Sequence, residues 1–243
     1  MVAFTAVTNR DLASASIHVY TNPACFHFYG CGQLLHIILG CSLSTANLPL
    51  LSTSAGLVER VSTFKLLGLN FDASLSWSVH ITIITTKASK RLYFLKQLKR
   101  AGVPPQQLMH FYATVICPVL EYCTPVWHYA ITRLQTEHLE SIQKHAIHII
   151  YPFTRGMSYS NILFVAELTS LESRRDQLSK SFFQDISHPS SSLYHLLPPP
   201  CDTSVLSWLR TETWFIRPIS RTKKYCSFIN YALNHYQVPP RNN

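Results

Sequence analysis

A run of cationic side chains between residues 87 and 100 has the clearest chemistry in the sequence. Six basic residues fall within fourteen positions that hold no acid: Lys87, Lys90, Arg91, Lys96, Lys99 and Arg100. Tyr93, Phe94 and Gln97 are interleaved with them. A row of cations on a helix can follow a phosphate backbone, and aromatic rings beside it can stack on unpaired bases. We therefore predict a nucleic-acid-binding helix. The alternative is a solvated face whose aromatic residues belong to the core.

A second polar group contains Lys144, His145 and His148. The two histidines are one helical turn apart and could both ligate a metal ion. Zinc sites need three or four ligands, and only His138 and Glu140 could be added from nearby. We therefore predict surface histidines and no metal site.

Carboxylates are too sparse for the chemistry of a polymerase. Phosphoryl transfer needs at least two carboxylates that converge on two metal ions about 4 Å apart. The chain contains 12 Asp and Glu, and no two of them are adjacent or one residue apart. It also lacks a glycine-rich phosphate loop and the common hydrolase motifs. We therefore predict no catalytic residues, no cofactor and no enzyme activity.

Helices are expected to position the basic residues. Apolar residues recur every three or four positions from Trp77 to Leu95, which predicts a helix over 77–100 with Ser76 as its N-cap. Pro104 and Pro105 are expected to open a second helix, and Pro118 to kink it. The pattern predicts further helices at the positions 134–150, 158–186 (two helices) and 225–236.

The rest of the chain is expected to be less regular. Residues 57–71 alternate in polarity and predict a short β-hairpin, with Gly68 at a bulge or a close approach. Residues 1–56 show no clear period and predict poorly ordered strands or loops. The Ser/Pro-rich stretch 187–204 predicts a linker with polyproline character. The fold class is therefore mainly α, with domain boundaries predicted at 1–56, 57–155, 156–186, 187–204 and 205–243.

Composition agrees with an anionic partner. The net charge is +9, which favours nucleic acid or a membrane surface. Polar residues and Pro49 interrupt the most apolar stretch, 34–51, so we predict no membrane-spanning helix. Seven cysteines lack any C-x-x-C pair, which favours reduced thiols in an intracellular protein of the nucleus or cytoplasm.

Four stretches of residues 57–155 resemble the end of the palm and the thumb of non-LTR retrotransposon reverse transcriptases of the jockey type. They occur in the family's order and spacing: VERVSTFKLLGLNFDASLSWSVHI, KASKRLYFLKQLKRAGVPPQQL, FYATVICPVLEYCTPVWH and LESIQKHAIHIIYP. Weaker similarity continues through 160–235. The resemblance implies a multi-helical, thumb-like bundle.

The resemblance also implies roles for particular residues. Five cations would grip the backbone of an RNA–DNA template–primer: Lys87, Lys90, Arg91, Lys99 and Arg100. The residues themselves add Lys96, Lys144, His145 and His148 as predicted contacts. The histidines stand where the family often has arginine, so their contacts would be weaker near neutral pH. Independently of the resemblance, we predict five aromatic residues as core anchors: Trp77, Phe111, Tyr112, Tyr122 and Trp127.

One departure from the family removes the expected activity. The family's catalytic strand ends in Tyr/Phe-Ala-Asp-Asp, and residues 1–57 contain nothing like it. The full-length family would use magnesium at those carboxylates. The resemblance therefore implies a catalytically incomplete fragment whose partners are template–primer nucleic acid and the rest of a polymerase.

A second resemblance overlaps the first. Residues 63–100 are similar to a short helical module at the N-terminus of an AlkB-homologue tRNA-modifying enzyme. The chain shows neither the H-x-D…H iron site of the dioxygenase domain nor a glycine-rich methyl-donor loop, so we transfer neither activity.

Four functions stay open at this point. The leading hypothesis is a nucleic-acid-binding remnant of a reverse transcriptase. The others are a helical protein-interaction module, an AlkB-homologue-type module linked to 2-oxoglutarate dioxygenase or tRNA methyltransferase proteins, and an inert pseudogene product. Salt dependence separates the first two, because phosphate binding weakens steeply with salt and apolar association does not.

Overall fold

The computed structural model describes most of the chain from residue 59 to residue 201 and several shorter stretches. The described residues are 24–30, 33–39, 52–53, 56–57, 59–74, 76–201, 215–216 and 227–236. They form two compact units, 1–80 and 81–243. The predicted fold class is confirmed: the described chain is mainly helical, with a short antiparallel hairpin.

The first unit contains short strands. β1 (Ala24–Gly30) and β2 (Gln33–Leu39) pair antiparallel. The two-residue strands β3 (Ser52–Thr53) and β4 (Gly56–Leu57) pair with each other, and β5 (Glu59–Arg60) runs parallel to β2. Most of the segment 1–56 that was predicted to be poorly ordered lies outside the described residues, whereas 24–30 and 33–39 form regular strands.

The predicted hairpin is present, shifted toward the C-terminus. β6 (Thr63–Leu66) pairs antiparallel with β7 (Leu69–Asp72). Leu67 and Gly68 form the two-residue turn with φ of 47° and 86°. Two consecutive positive φ angles are typical of a type I′ turn, whose twist matches that of the strands. Gly68 therefore closes a turn, and the predicted bulge is wrong.

The loop after the hairpin is organised by Asp72. Its carboxylate accepts hydrogen bonds from the backbone N–H and hydroxyl groups of Ser74 and Ser76. Burial raises the pKa of this carboxyl, but the hydrogen bonds outweigh burial and the pKa is lowered overall. The ring of Trp77 is buried and lies 5.2 Å from that of Phe71. The next helix begins at Ser78, so Trp77 occupies the N-cap position and the prediction of Ser76 as the N-cap is wrong by one residue.

The following helices form the N-terminal half of the bundle. α1 spans Ser78–Arg100 and α2 spans Pro105–Phe111. A π-helical turn follows at Tyr112–Ile116, before α3 (Cys117–Glu121) and α4 (Thr124–Trp127). Pro118 has no N–H to bond to the preceding turn, which accounts for the wider turn just before it. The predicted kink is therefore a π-helical turn.

The remaining helices complete the bundle. α5 spans Arg133–Ile150, α6 spans Tyr159–Val165, α7 spans Leu171–Ile186 and α8 spans Phe228–His235. α7 packs against α4, α5 and α8. These helices confirm the segments that hydrophobic periodicity predicted. None of the helices in the described part of the chain is long and apolar enough to cross a membrane.

The Ser/Pro-rich stretch is packed against the bundle over its described part, residues 187–201. It contains a 3-10 turn at Tyr194–Leu196. Tyr194 and Leu197 pack against a buried cluster that includes Phe183 and Leu233. Composition alone did not indicate this contribution to the core.

Candidate nucleic-acid interface

The cations of α1 do not form a single row. Residues Ile81, Ala88 and Leu95 are buried and mark the core side of the helix. Lys87 and Lys96 are nine residues apart, which is two and a half turns at about 3.6 residues per turn. They therefore lie on opposite flanks of α1, and the predicted row of six cations is divided.

Two of the six cations make hydrogen bonds inside the bundle. The guanidinium of Arg91 donates to the backbone carbonyl oxygen of Val115, in the π-helical turn. The ammonium of Lys99 donates to the carbonyl oxygen of Ile150, over 3.2 Å. Both side chains are partly buried. They hold α1 against its neighbours, so their availability to a ligand is lower than the sequence suggested.

One flank of α1 lies beside α5, and basic side chains of both helices come together there. We call this group the α1–α5 basic face. It comprises Lys96, Lys144, His145, His148 and Arg155, which interact electrostatically, and Arg100, which is exposed one helical turn after Lys96 on the same flank of α1. Lys96 acts electrostatically on His145, while Lys144 and Arg155 act on His148. These interactions link side chains from both helices and from the turn after α5. Sequence reasoning missed Arg155, which follows the helix end in the loop.

The histidines of the basic face are surrounded by positive charge. Burial and then Lys96 lower the pKa of His145. Burial, Lys144, Arg155 and His145 lower the pKa of His148. Nδ1 of His148 also lies 2.9 Å from the hydroxyl of Thr154. Both histidines are therefore mainly neutral near pH 7, and a bound anion would favour their protonation.

The other flank of α1 borders an open groove. Arg91, Phe94, Gln97 and Leu98 of α1 line one side, and Phe111, Thr114 and Val115 line the other. The groove has a volume of about 780 Å³. Phe94 is 58% exposed although it lies in the groove wall. An exposed aromatic ring in an open groove offers a flat apolar face on which a planar group can stack.

The predicted core anchors are mostly where the sequence placed them. Trp77, Tyr112 and Trp127 are buried, and Phe111 is partly buried. Tyr122 is 49% exposed, so its prediction as a core anchor is wrong. Its backbone carbonyl oxygen accepts the indole N–H of Trp127 over 2.9 Å. Tyr122 therefore contributes its backbone carbonyl to the contact with Trp127, while its side chain is exposed.

Polar contacts fix α5, which carries half of the basic face. Thr132 and Gln135 form a reciprocal capping box at its first turn. Glu140 accepts hydrogen bonds from the backbone N–H groups of Leu171 and Glu172, at the start of α7, and from the hydroxyl of Tyr159. A carboxylate is favourable at a helix N-terminus, where N–H groups lack partners within the helix.

A buried arginine crosses the centre of the same bundle. The Arg175 side chain is fully buried, 4.0 Å from the Glu140 carboxylate and 5.9 Å from the centre of the Trp127 ring. Burial lowers its pKa, against the opposing effect of Glu140. Next to it, the guanidinium of Arg174 bonds both carboxylate oxygens of Glu121, and this contact raises the pKa of Arg174. The two arginines connect α3, α4, α5 and α7.

Among the described residues, no group of three or more His, Cys, Asp or Glu side chains could hold a metal ion. His145 and His148 instead face cations, as described above, which disfavours a divalent ion beside them.

Comparison with known proteins gives one partial similarity. The family model described as alkylated DNA repair protein alkB homolog 8, N-terminal, matches residues 77–116. This is about one sixth of the chain, and it comprises α1, α2 and the π-helical turn. The match overlaps the AlkB-homologue resemblance found in the sequence and extends it beyond residue 100. No curated protein and no solved structure matches the chain. The reverse-transcriptase resemblance gains no support from these comparisons and stays a prediction.

Proposed function

We propose that this protein binds nucleic acid through the α1–α5 basic face, as a catalytically incomplete fragment of a reverse transcriptase would bind template–primer with its thumb. The observation that carries the proposal is the hydrogen bond from Lys99 to the Ile150 carbonyl oxygen, which holds α1 beside α5, so that Lys96 is close enough to act electrostatically on His145. Cations at several adjacent positions can contact successive phosphates and release their counterions.

Two further features support the proposal. The stretch 73–120 contains no acidic residue, so no carboxylate of its own neutralises the cations of α1. The family whose model matches 77–116 is named for the repair of alkylated DNA, which places a similar segment in a protein that acts on nucleic acid. The sequence resemblance to the thumb of reverse transcriptases supplies the ligand class, an RNA–DNA duplex.

The experiment is a salt series with the full chain and a fluorescent RNA–DNA duplex. We expect the affinity to fall steeply with salt concentration. Lys96→Gln, Arg100→Gln and Lys144→Gln, combined in one protein, should remove about three phosphate contacts and reduce the slope of log affinity against log salt by about 2 to 3. Lys180→Gln, on the exposed side of α7, is the control for loss of one charge and is compared with Lys96→Gln alone.

A salt-insensitive affinity, or equal effects of Lys96→Gln and Lys180→Gln, would overturn the proposal. A helical protein-interaction module is the second candidate, and the match of 77–116 to a short N-terminal segment of another protein favours it. In that case the chain should bind a protein partner with an affinity that rises or stays constant as salt increases, because apolar association is not screened.

A further inference from the structure

We infer that the groove between α1 and the π-helical turn receives an unpaired base, so that the preferred ligand is a duplex with a single-stranded overhang. This inference rests on the proposed function, which concerns only the phosphate backbone on the other flank of α1. It assigns a role to Phe94, Gln97 and Thr114, which the α1–α5 basic face does not use.

The groove has the surfaces that a base requires. Phe94 is 58% exposed, and Leu98 and Val115 supply apolar contacts along the walls. The amide of Gln97 and the hydroxyl of Thr114 line the same groove and can bond to the edge of a base. The Thr114 hydroxyl donates to the His110 carbonyl oxygen over 2.8 Å, so its oxygen stays able to accept a bond. Stacking tolerates any base because every base has a flat apolar face.

Cations on the same flank can hold the phosphates next to that base. Lys87 and Lys90 are both exposed and precede Phe94 by two turns and one turn of α1. At about 1.5 Å of rise per residue, Lys90 lies about 6 Å along the helix from Phe94. This distance is similar to the length of one extended nucleotide. A phosphate at Lys90 and a base at Phe94 can therefore belong to neighbouring parts of one strand.

Charge favours a polyanion as the occupant. The groove is built entirely from the acid-free stretch 73–120, and Lys87, Lys90 and Arg91 lie on its flank of α1. Arg91 is fixed at the groove by its bond to the Val115 carbonyl, and the remaining N–H groups of its guanidinium are donors. A nucleic acid strand supplies a negative charge and a flat base at every nucleotide. An acidic peptide matches the same surface only if its carboxylates alternate with an apolar side chain that fits the groove.

The test compares a blunt RNA–DNA duplex with the same duplex carrying an unpaired overhang whose first base is 2-aminopurine. The full chain should bind the overhang ligand about fivefold or more tightly, because stacking of one base contributes about 1–3 kcal/mol. The emission of 2-aminopurine should fall on binding, because stacking quenches it. Phe94→Ala should abolish both effects and leave the affinity for the blunt duplex unchanged.

Two further variants separate the groove from general effects. Ala101→Leu adds volume at the groove edge, on an exposed residue, and should also abolish the overhang preference. Phe164→Ala removes an equally large ring that is 85% exposed on α6 and should leave the preference intact. Circular dichroism of each variant establishes that it is folded.

Equal binding of both ligands by the wild-type chain would overturn the groove inference and leave the proposed function standing. The inference would also be overturned if Phe94→Ala and Phe164→Ala lost the overhang preference to the same extent. Absence of salt-dependent binding to either ligand would overturn the proposed function as well. A fourth outcome combines two results: the wild-type chain shows no overhang preference, but it binds a fluorescent Asp/Glu-rich amphipathic peptide and Phe94→Ala abolishes that binding. This outcome would assign the groove to a protein partner and overturn the inference.

Discussion

The ammonium of Lys99 donates a hydrogen bond to the carbonyl oxygen of Ile150, so the last turn of α1 is tied to the last residue of α5. The last carbonyl groups of a helix have no partner within it, and a cation beside them also interacts favourably with the helix dipole. This contact holds together the two helices that form the α1–α5 basic face.

Replacement of Lys99 should therefore reduce stability more than binding. Lys99→Met removes the donor and should lower the free energy of unfolding by about 1–2 kcal/mol. Lys96→Met is the matched variant on the same helix, since Lys96 is exposed on the basic face. It should weaken binding to the RNA–DNA duplex and change stability by less than about 0.5 kcal/mol. Urea denaturation and a binding titration of both variants measure these effects. A larger loss of stability in Lys96→Met, or a larger loss of affinity in Lys99→Met, would contradict the prediction.

Binding to nucleic acid should strengthen on acidification. His145 and His148 have lowered pKa values because of burial and the neighbouring Lys96, Lys144 and Arg155, so both are mainly neutral at pH 7. A phosphate nearby offsets the repulsion and draws protons onto them as the pH falls toward 5. The affinity for the RNA–DNA duplex should rise over this range, with a steeper salt dependence.

A double variant, His145→Gln with His148→Gln, isolates this effect. It should bind as tightly as the wild-type chain at pH 8 and show little gain in affinity at pH 5. Acid also destabilises the fold through the same lowered pKa values, because the unfolded chain then binds more protons. Titrations should therefore be made at low temperature, with circular dichroism as the check that the protein is folded. An equal gain in affinity at pH 5 in both proteins would show that the histidines do not cause the pH dependence.

Removal of the Glu140 carboxylate should strongly destabilise the bundle. Glu140→Ala leaves the N–H groups at the start of α7 and the hydroxyl of Tyr159 without their acceptor. It also leaves the buried Arg175 without its nearest carboxylate. The expected loss is about 3 kcal/mol or more, since it breaks a buried network.

Glu137→Ala is the matched control for Glu140. Glu137 lies on the same helix and pairs with Arg133, but both side chains are largely exposed. An exposed pair at this spacing contributes about 0.5 kcal/mol or less. Urea midpoints of the two variants measure the difference, and similar losses would show that the Glu140 network has little effect on stability.

The sequence predicted the helices well because their apolar residues recur at helical spacing, as from Ile81 to Leu95. It could not predict which cations are available to a ligand. The partners of Arg91 and Lys99 are carbonyl oxygens at residues 115 and 150, and such long-range backbone contacts leave no local pattern. The groove at Phe94 and the contribution of Arg155 to the basic face likewise depend on how separate helices pack. Tyr122 was misassigned because aromatic type alone does not define burial.

Stability should also depend on pH through His128, which lies just after α4. Burial and then Arg175 lower its pKa to about 4, against the opposing effect of Asp176 at 4.0 Å. Since the folded pKa is below that of an unfolded histidine, about 6.5, the neutral side chain contributes stability above pH 6.5. This stability is lost as the pH falls from about 6.5 through about 4, and the loss between pH 7 and pH 5 is about 2 kcal/mol. His128→Phe keeps a flat ring at this position and removes the titration, so the free energy of unfolding of this variant should fall less between these two pH values. Urea denaturation at pH 7 and pH 5 measures both proteins; the same loss in each would show that other groups cause the acid sensitivity.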